Sequence, residues 1–175
     1  SIAREKELGT MEILLVSPLK PAQIIIGKVF PYILLSFINA ITILVLGYFV
    51  FGMPIVGSLA LLLAESILFI IMALALGIFF STISNSQQTA MMLSMFVMML
   101  PTILLSGFIF PIENMPEVLQ WFCNLMPTKW FIIILRGIML KGNGIAELWS
   151  ETLILGLMTL FFIALSIKKF KIRLQ

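Results

Sequence analysis

From Val29 to Ala64 the chain runs 36 residues without a charged side chain. As a single helix this run would extend about 54 Å at 1.5 Å per residue. The hydrocarbon layer of a bilayer is only about 30 Å thick, so the run must cross, turn and cross back. Gly52-Met53-Pro54 supplies the turn, because glycine tolerates unusual dihedrals and proline cannot continue a helix. The expected spans are 29–51 and 56–80. Ser66 to Ile112 is a second charge-free run too long for one crossing. The polar cluster 81–88 has loop composition and leaves a third span over 89–108, with Pro101 inside it. A fourth span is expected over 148–167.

Composition agrees. Of 175 residues, 61% are hydrophobic and 11% charged, against about 45–50% and 25% in soluble domains. One core of this size cannot hide that surplus from water. The predicted fold class is an all-α, polytopic integral membrane bundle of four transmembrane helices. Residues 109–147 hold Pro111, Pro116 and Pro127, the aromatics Trp121, Phe122, Trp130 and Phe131, and mixed charge. Their apolar stretch 130–140 is too short to cross, so the segment reads as interfacial or re-entrant. The chain opens at Ser1 on charged and polar residues, which reads as the C-terminal part of a longer protein.

Four spans put both ends of the chain on one side. That side carries Arg4, Lys6, Lys20, Lys28, Lys168, Lys169, Lys171 and Arg173, eight of the eleven basic residues. The positive-inside rule makes it cytoplasmic, with 168–175 as a tail and 109–147 facing outward.

Catalytic chemistry finds little support. His and Asp are absent and Cys123 is the only cysteine, so the usual general base, transition-metal sites and internal disulfides are all missing. Thr10, Ser17 and Cys123 have no base to activate them as nucleophiles. Gly27-Lys28 is not a phosphate loop, since that motif needs Gly six residues before the Lys and Ser or Thr after it. Ala22 and Val29 stand there instead. The net charge of +3 calls for no nucleic-acid partner; the bilayer is the first partner.

Several residues stand out singly. Residues 4–18 pattern as a short helix with Thr10 placed as N-cap, Glu12 in the first turn and Pro18 at the end. Two readings remain equally open: a helix lying on the inner leaflet, where three Glu weaken the usual Lys/Arg-rich pattern, or a docking helix that pairs an apolar edge with both signs of charge. Glu65 is the charge inside a span, either a substrate or proton contact or a hydrogen-bonded or neutral carboxyl near the outer end. Ala73, Gly77 and Ser81 form a small-residue stripe suited to helix packing. Met91, Met92, Met95, Met98 and Met99 cluster on the third span, as a surface for promiscuous binding or, the better reading, as core or lipid-facing packing. Pro101 should kink that span, with Thr102 and Ser106 available to the freed backbone groups. Trp121 and Trp130 fit the outer headgroup level. Arg136 either pairs with Glu113 or Glu117 or snorkels to the interface.

The string Arg4-Glu5-Lys6-Glu7-Leu8-Gly9-Thr10-Met11-Glu12-Ile13-Leu14-Leu15-Val16-Ser17-Pro18-Leu19, followed by Gly27-Lys28-Val29-Phe30-Pro31-Tyr32, resembles the ABC type-2 transporter permeases, and within them the multidrug or daunorubicin-resistance-like exporters. A second, weaker match is Met126-Pro127-Thr128-Lys129-Trp130 through Leu135-Arg136-Gly137. The resemblance covers essentially the whole chain, as spans three to six of six. It implies that residues 1–27 are a cytoplasmic coupling region in which Glu5, Glu7, Gly9, Thr10, Glu12, Ser17 and Pro18 meet an ATPase subunit. It also implies that ATP and Mg bind that partner and not this chain, which is not itself an enzyme. Pro127, Trp130, Arg136 and Gly137 would belong to an outer re-entrant motif. A second permease subunit, identical or homologous, would complete the path in a bacterial plasma membrane, with substrate contacts near Phe37, Asn39 and Thr42 and on the third span.

Three rivals are weighed against this. A transporter driven by an ion gradient should show several intramembrane carboxylates or broken helix pairs, and one Glu is present. A membrane enzyme would need clustered polar groups. A non-transporting anchor or signalling subunit is the reading least opposed by the sequence.

Overall fold

The computed structural model describes residues 21–106 and 115–172. In chain order, the elements are α1 (Pro21–Phe51), α2 (Leu59–Ile83), α3 (Gln87–Ser94), a π-helical segment (Met95–Met99), α4 (Leu100–Leu105), α5 (Glu117–Leu125), α6 (Pro127–Arg136), a π turn (Gly137–Lys141) and α7 (Ile145–Ile172). Four stretches among the described residues are long and apolar enough to cross a membrane: Val29–Phe51, Leu59–Ile83, Gln87–Leu105 and Ile145–Lys169. The all-α polytopic bundle is therefore the fold, as composition and charge spacing predict.

Local chemistry sets the helix ends. α1 begins on Pro21, whose missing N–H costs nothing in a first turn. It closes at Gly52, which takes φ +61° while the Met53 N–H returns to the Gly47 carbonyl at 3.0 Å. α2 starts at the Ser58 cap. It ends where the Ser84 hydroxyl donates to the Phe80 carbonyl at 2.8 Å. A capping box between Ser86 and Thr89 then opens α3. The break between the second and third spans thus shrinks to residues 84–86. Caps, rather than polar composition, decide where helices stop, so α2 begins and ends three residues later than hydropathy places it.

At Pro101 the helix adjusts through a π-helical turn rather than through the Thr102 hydroxyl. The π segment Met95–Met99 lies just ahead of it, and the Leu100 N–H reaches back to the Met95 carbonyl. The wider turn makes room where proline lacks a donor and crowds the preceding turn. Thr102 does not serve that backbone; its hydroxyl pairs with Thr128 at 3.3 Å.

The centre is the parallel pair α2 and α7. Leu62, Met72, Leu76 and Phe80 of α2 pack with Leu148 and Leu155 of α7, and with Ile134, Ile138 and Met139 from α6 and its π turn. Phe69 stacks on Phe131 with centroids 4.2 Å apart. In lipid such contacts gain little from the hydrophobic effect and hold by close packing and hydrogen bonds. At the end opposite Lys168 and Lys169, the N–H groups of Val56 and Gly57 donate to the carbonyls of Met139 and Ile138 at 3.1 and 3.0 Å. A Cβ on Gly57 would sit 2.6 Å from the Ile138 oxygen, so only glycine permits this latch.

Among the described residues, the small-residue stripe meets no neighbouring helix at two of its three positions. Ala73 and Gly77 face outward and only Ser81 is buried, with nothing within 4 Å of a Cβ built on Gly77. α2 turns its bulkier face to α7, because Met72 and Leu76 fill the gap there. The α1 and third-span windows contain no buried residue, and Met91, Met92, Met95 and Met99 are exposed.

Candidate functional site

Glu65 sits within α2, six residues from its start, with 4% of its surface exposed. Its Oε1 accepts from the Thr152 hydroxyl of α7 at 2.7 Å. Its Oε2 is buried and has no hydrogen-bond partner among the described residues. A carboxyl at membrane depth carries a large desolvation cost, and a single hydroxyl offsets only part of it. Of the two readings open for Glu65, the structure adds a hydrogen-bonded partner while leaving half of the carboxyl unsatisfied.

Thr152 was not singled out in the sequence, although a signal for it was present. Thr152, Thr159 and Ser166 recur every seven residues, which keeps them on one face of a helix. That face meets α2. Thr159 and Ser166 are buried; the Ser166 hydroxyl donates to the Ala75 carbonyl at 3.0 Å, while Thr159 bonds within its own helix to Leu155. The pair is therefore pinned at two levels, by Glu65–Thr152 and by Ala75–Ser166.

Asn39 and Thr42 are exposed on α1, with Phe37 half-buried. The Thr42 hydroxyl is satisfied by the Ile38 carbonyl at 2.8 Å. Asn39 lies ten residues into the Val29–Phe51 span, about 15 Å along it. A side-chain amide at that depth favours another helix or an aqueous path over lipid. The structure does not bring Asn39 or Thr42 together with Glu65.

The four residues of the outer motif fall on α6 and its junctions. Pro127 is buried at the first position of α6. The Trp130 indole N–H donates to the Asn124 carbonyl at 3.0 Å, and Lys129 lies over its ring, 5.1 Å from the centroid. Gly137 is buried against α7, where a Cβ would come within 3.0 Å of Leu148. Arg136 is exposed at the end of α6 and forms no ion pair with Glu117 among the described residues; Glu113 lies outside them. The pieces Glu117–Leu125 and Pro127–Lys141 meet at 83°, as a broken span or a re-entrant loop does. Trp121 is 79% exposed, as an interfacial anchor would be.

Glu5, Glu7, Gly9, Thr10, Glu12, Ser17 and Pro18 all lie outside the described residues. Among the described residues no group of acidic, histidine or cysteine side chains is arranged to hold a metal ion.

Comparison with known proteins supplies the frame. The family described as ABC-2 family transporter protein matches residues 1–168. The chain is 37% identical over 151 residues to YbhR of Escherichia coli K12, a probable multidrug ABC transporter permease, covering 86% of this chain and 41% of that protein. It is 35% identical over 174 residues to YbhS of the same organism, also a probable multidrug ABC transporter permease, covering 99% and 46%. ABC transporter G family member 20 of Dictyostelium discoideum is 29% identical over 168 residues, covering 94% and 23%. No solved structure matches. The chain spans less than half the length of these relatives, yet the family match runs through the charged opening segment, all four apolar helices and the bent α5–α6 pair: this chain belongs to the ABC-2 transporter family.

Proposed function

We propose that this chain forms part of the membrane permease of an ATP-driven exporter, in which the N-terminal segment 4–18 docks on a separate ATPase subunit. The observation that carries the reading is the family match over residues 1–168, which includes that mixed-charge segment. ATP and Mg bind and react in the partner. A second permease subunit, identical or homologous, completes a path through the membrane, and closure of the ATPases switches access from one side to the other. Both ends of this chain lie in the cytoplasm, since eight of eleven basic residues fall on their side. The plasma membrane of a bacterium is the expected location, and the names of YbhR and YbhS point to a multidrug type of substrate.

The exposed face of α1 around Asn39 suits the path, because a mid-span amide there is costly against lipid and useful against a mixed substrate. Glu65 suits a structural role better, since its bond to Thr152 ties two helices deep in the bundle. An ion-gradient mechanism gains nothing from it, because a single intramembrane carboxylate offers no chain of sites.

The decisive experiment reverses charge at Glu7 and Glu12 together, as Glu7→Lys with Glu12→Lys, in the full-length protein. Co-purification of the ATPase subunit and export should both be lost while membrane insertion is kept. If association and export both persist, the docking assignment is wrong. In the same strains Asn39→Leu should lower export without lowering the amount of inserted protein; unchanged export would remove the α1 face from the path.

A further inference from the structure

The depth of α6 in the membrane decides what its charges can do. The Ile138 carbonyl just beyond it is latched to Gly57 at the end of the bundle opposite Lys168 and Lys169, while Phe131 stacks on Phe69. Phe69 is the eleventh residue of the span Leu59–Ile83, about 15 Å inside its outer end and about 21 Å from its inner end. Thr128 pairs with Thr102, the sixteenth residue of Gln87–Leu105 and about 22 Å from the inner start of that span. The two heights agree. α6 therefore runs outward from its first turn, and that turn lies near the middle of a hydrocarbon layer about 30 Å thick.

Lys129 belongs to that turn. Phe131 and Ile134, which pack on the α2–α7 pair, stand about 160° and 140° round α6 from it on either side, so Lys129 faces away from the pair. Helical side chains tilt toward the N-terminus of their helix, which here is away from the outer surface, so Lys129 does not snorkel outward. Among the described residues its ammonium meets the Asn124 amide oxygen and the face of the Trp130 ring, and no carboxylate. An ammonium has three N–H donors, and this neutral clamp fixes it without cancelling its charge. The neighbouring surface is polar too. Glu117, Gln120 and Asn124 fall within about 60° of one another round α5, whereas Val118, Phe122 and Leu125 are exposed on another side. One face of α5 thus suits water and another lipid. The acidic member of that polar face, Glu117, lies about 10 Å along α5 from Asn124. Arg136, seven residues after Lys129, returns to the same side of α6 about 10 Å nearer the outer surface and is exposed.

A charge at mid-membrane turned away from the bundle is costly against lipid and belongs beside a water-lined path. A lipid headgroup stays at the surface, about 15 Å away, so the group that reaches Lys129 is a solute in that path. We infer that Lys129 and Arg136 are two basic steps of an outward exit for an amphiphilic anion, a carboxylate, sulfonate or phosphate carried on an apolar body. The anionic group meets the ammonium first and the guanidinium second, while the Trp130 ring and Ile133, exposed between them, take the apolar part. Cationic substrates are disfavoured at the same place. This deepens the permease reading and rests on it for the direction of movement.

The test compares two dyes that share one apolar body, anionic dansylglycine and cationic dansylcadaverine, on the full-length protein. Equilibrium binding is read from dansyl fluorescence in detergent, and ATP-driven uptake in everted membrane vesicles that contain the ATPase subunit. The unmodified protein should bind dansylglycine at least about ten-fold more tightly, the scale of one hydrogen bond to a charged group. Lys129→Gln should remove that preference and Lys129→Arg should keep it. Asn124→Asp, which gives the ammonium a fixed counter-charge, should remove it as fully as Lys129→Gln does. Arg136→Gln, nearer the surface, should weaken dansylglycine binding by about two- to five-fold. None of these changes should weaken dansylcadaverine. Equal binding of both dyes, or of neither, by the unmodified protein would overturn the inference. So would a preference that survives Lys129→Gln and Asn124→Asp. Should Lys129→Gln fail to accumulate, Asn124→Asp decides alone, since it retains the lysine. Uptake separates the two readings: charge-dependent binding without ATP-driven uptake sinks the permease and keeps the site, whereas uptake of dansylcadaverine alone does the reverse.

Discussion

The α2–α7 pair and the outlying spans, α1 and the third, are almost equally apolar in sequence and differ sharply in structure. α2 buries Leu62, Met72, Leu76 and Phe80, and α7 brings Thr152 and Ser166 onto the carboxyl of Glu65 and the carbonyl of Ala75. The α1 and third-span windows bury nothing, and Asn39 and four methionines face outward. The lesson is that hydropathy finds membrane helices without saying which of them hold the bundle together. In lipid the distinction is made by polar groups that find partners and by glycines that let backbones touch.

That contrast can be broken at its strongest point first. Gly57→Leu should disrupt the latch between the α1–α2 loop and the π turn, because a Cβ would already meet the Ile138 oxygen at 2.6 Å. We expect a loss of about 3 kcal/mol, at the upper end of overpacking costs, read as poor accumulation and a lowered unfolding midpoint in detergent. Normal stability would show that the latch is dispensable.

A middling effect is expected from Thr152→Val, which leaves both oxygens of Glu65 without a hydroxyl. Hydrogen bonds between membrane helices average about 0.6 kcal/mol and reach about 1.7, so a loss of about 1 kcal/mol should appear in unfolding. Adding Glu65→Leu to Thr152→Val should recover most of it, since an apolar pair leaves no buried polar group behind. A cycle with no coupling between the two positions would unpin α2 from α7 at this level.

The smallest effect sharpens the comparison on the outward face of α2. Gly77→Ala meets nothing within 4 Å and should stabilise by a few tenths to about 1 kcal/mol through helix propensity. A loss of stability in the full-length protein would mean that another helix covers the Ala73–Gly77 stripe there.

Much of the fold was legible because charge is so sparse. The run from Val29 to Ala64 forced a turn, and Gly52 makes it with φ +61°. What escaped was set by local or long-range chemistry. Ser84 and Ser86 belong to helix caps, so an eight-residue polar cluster became a three-residue turn. The Ala73–Gly77–Ser81 spacing reads as a packing stripe, yet packing followed Met72 and Leu76, whose bulk the α7 face accommodates. At the candidate site, Glu65 was conspicuous as an isolated charge, whereas its partner lies 87 residues away. Only the seven-residue recurrence of Thr152, Thr159 and Ser166 could have named it. Gly137, taken up through a family motif, has a plain steric reason in the 3.0 Å approach to Leu148.

The latch at Gly57 has a mechanical side. α1 is a single rod of 31 residues, about 46 Å long, with Pro31 as its one internal weak point. Its far end passes through the short stretch after Gly52 into Val56 and Gly57, which grip the turn between α6 and α7. A load applied where the rod begins, next to the charged segment, is thus delivered to the opposite side of the membrane. It arrives at the joint where the bent α5–α6 pair meets α7. Along the way the rod leans on the central pair through Leu44, so any tilt about that joint would have to slide this one contact with the core.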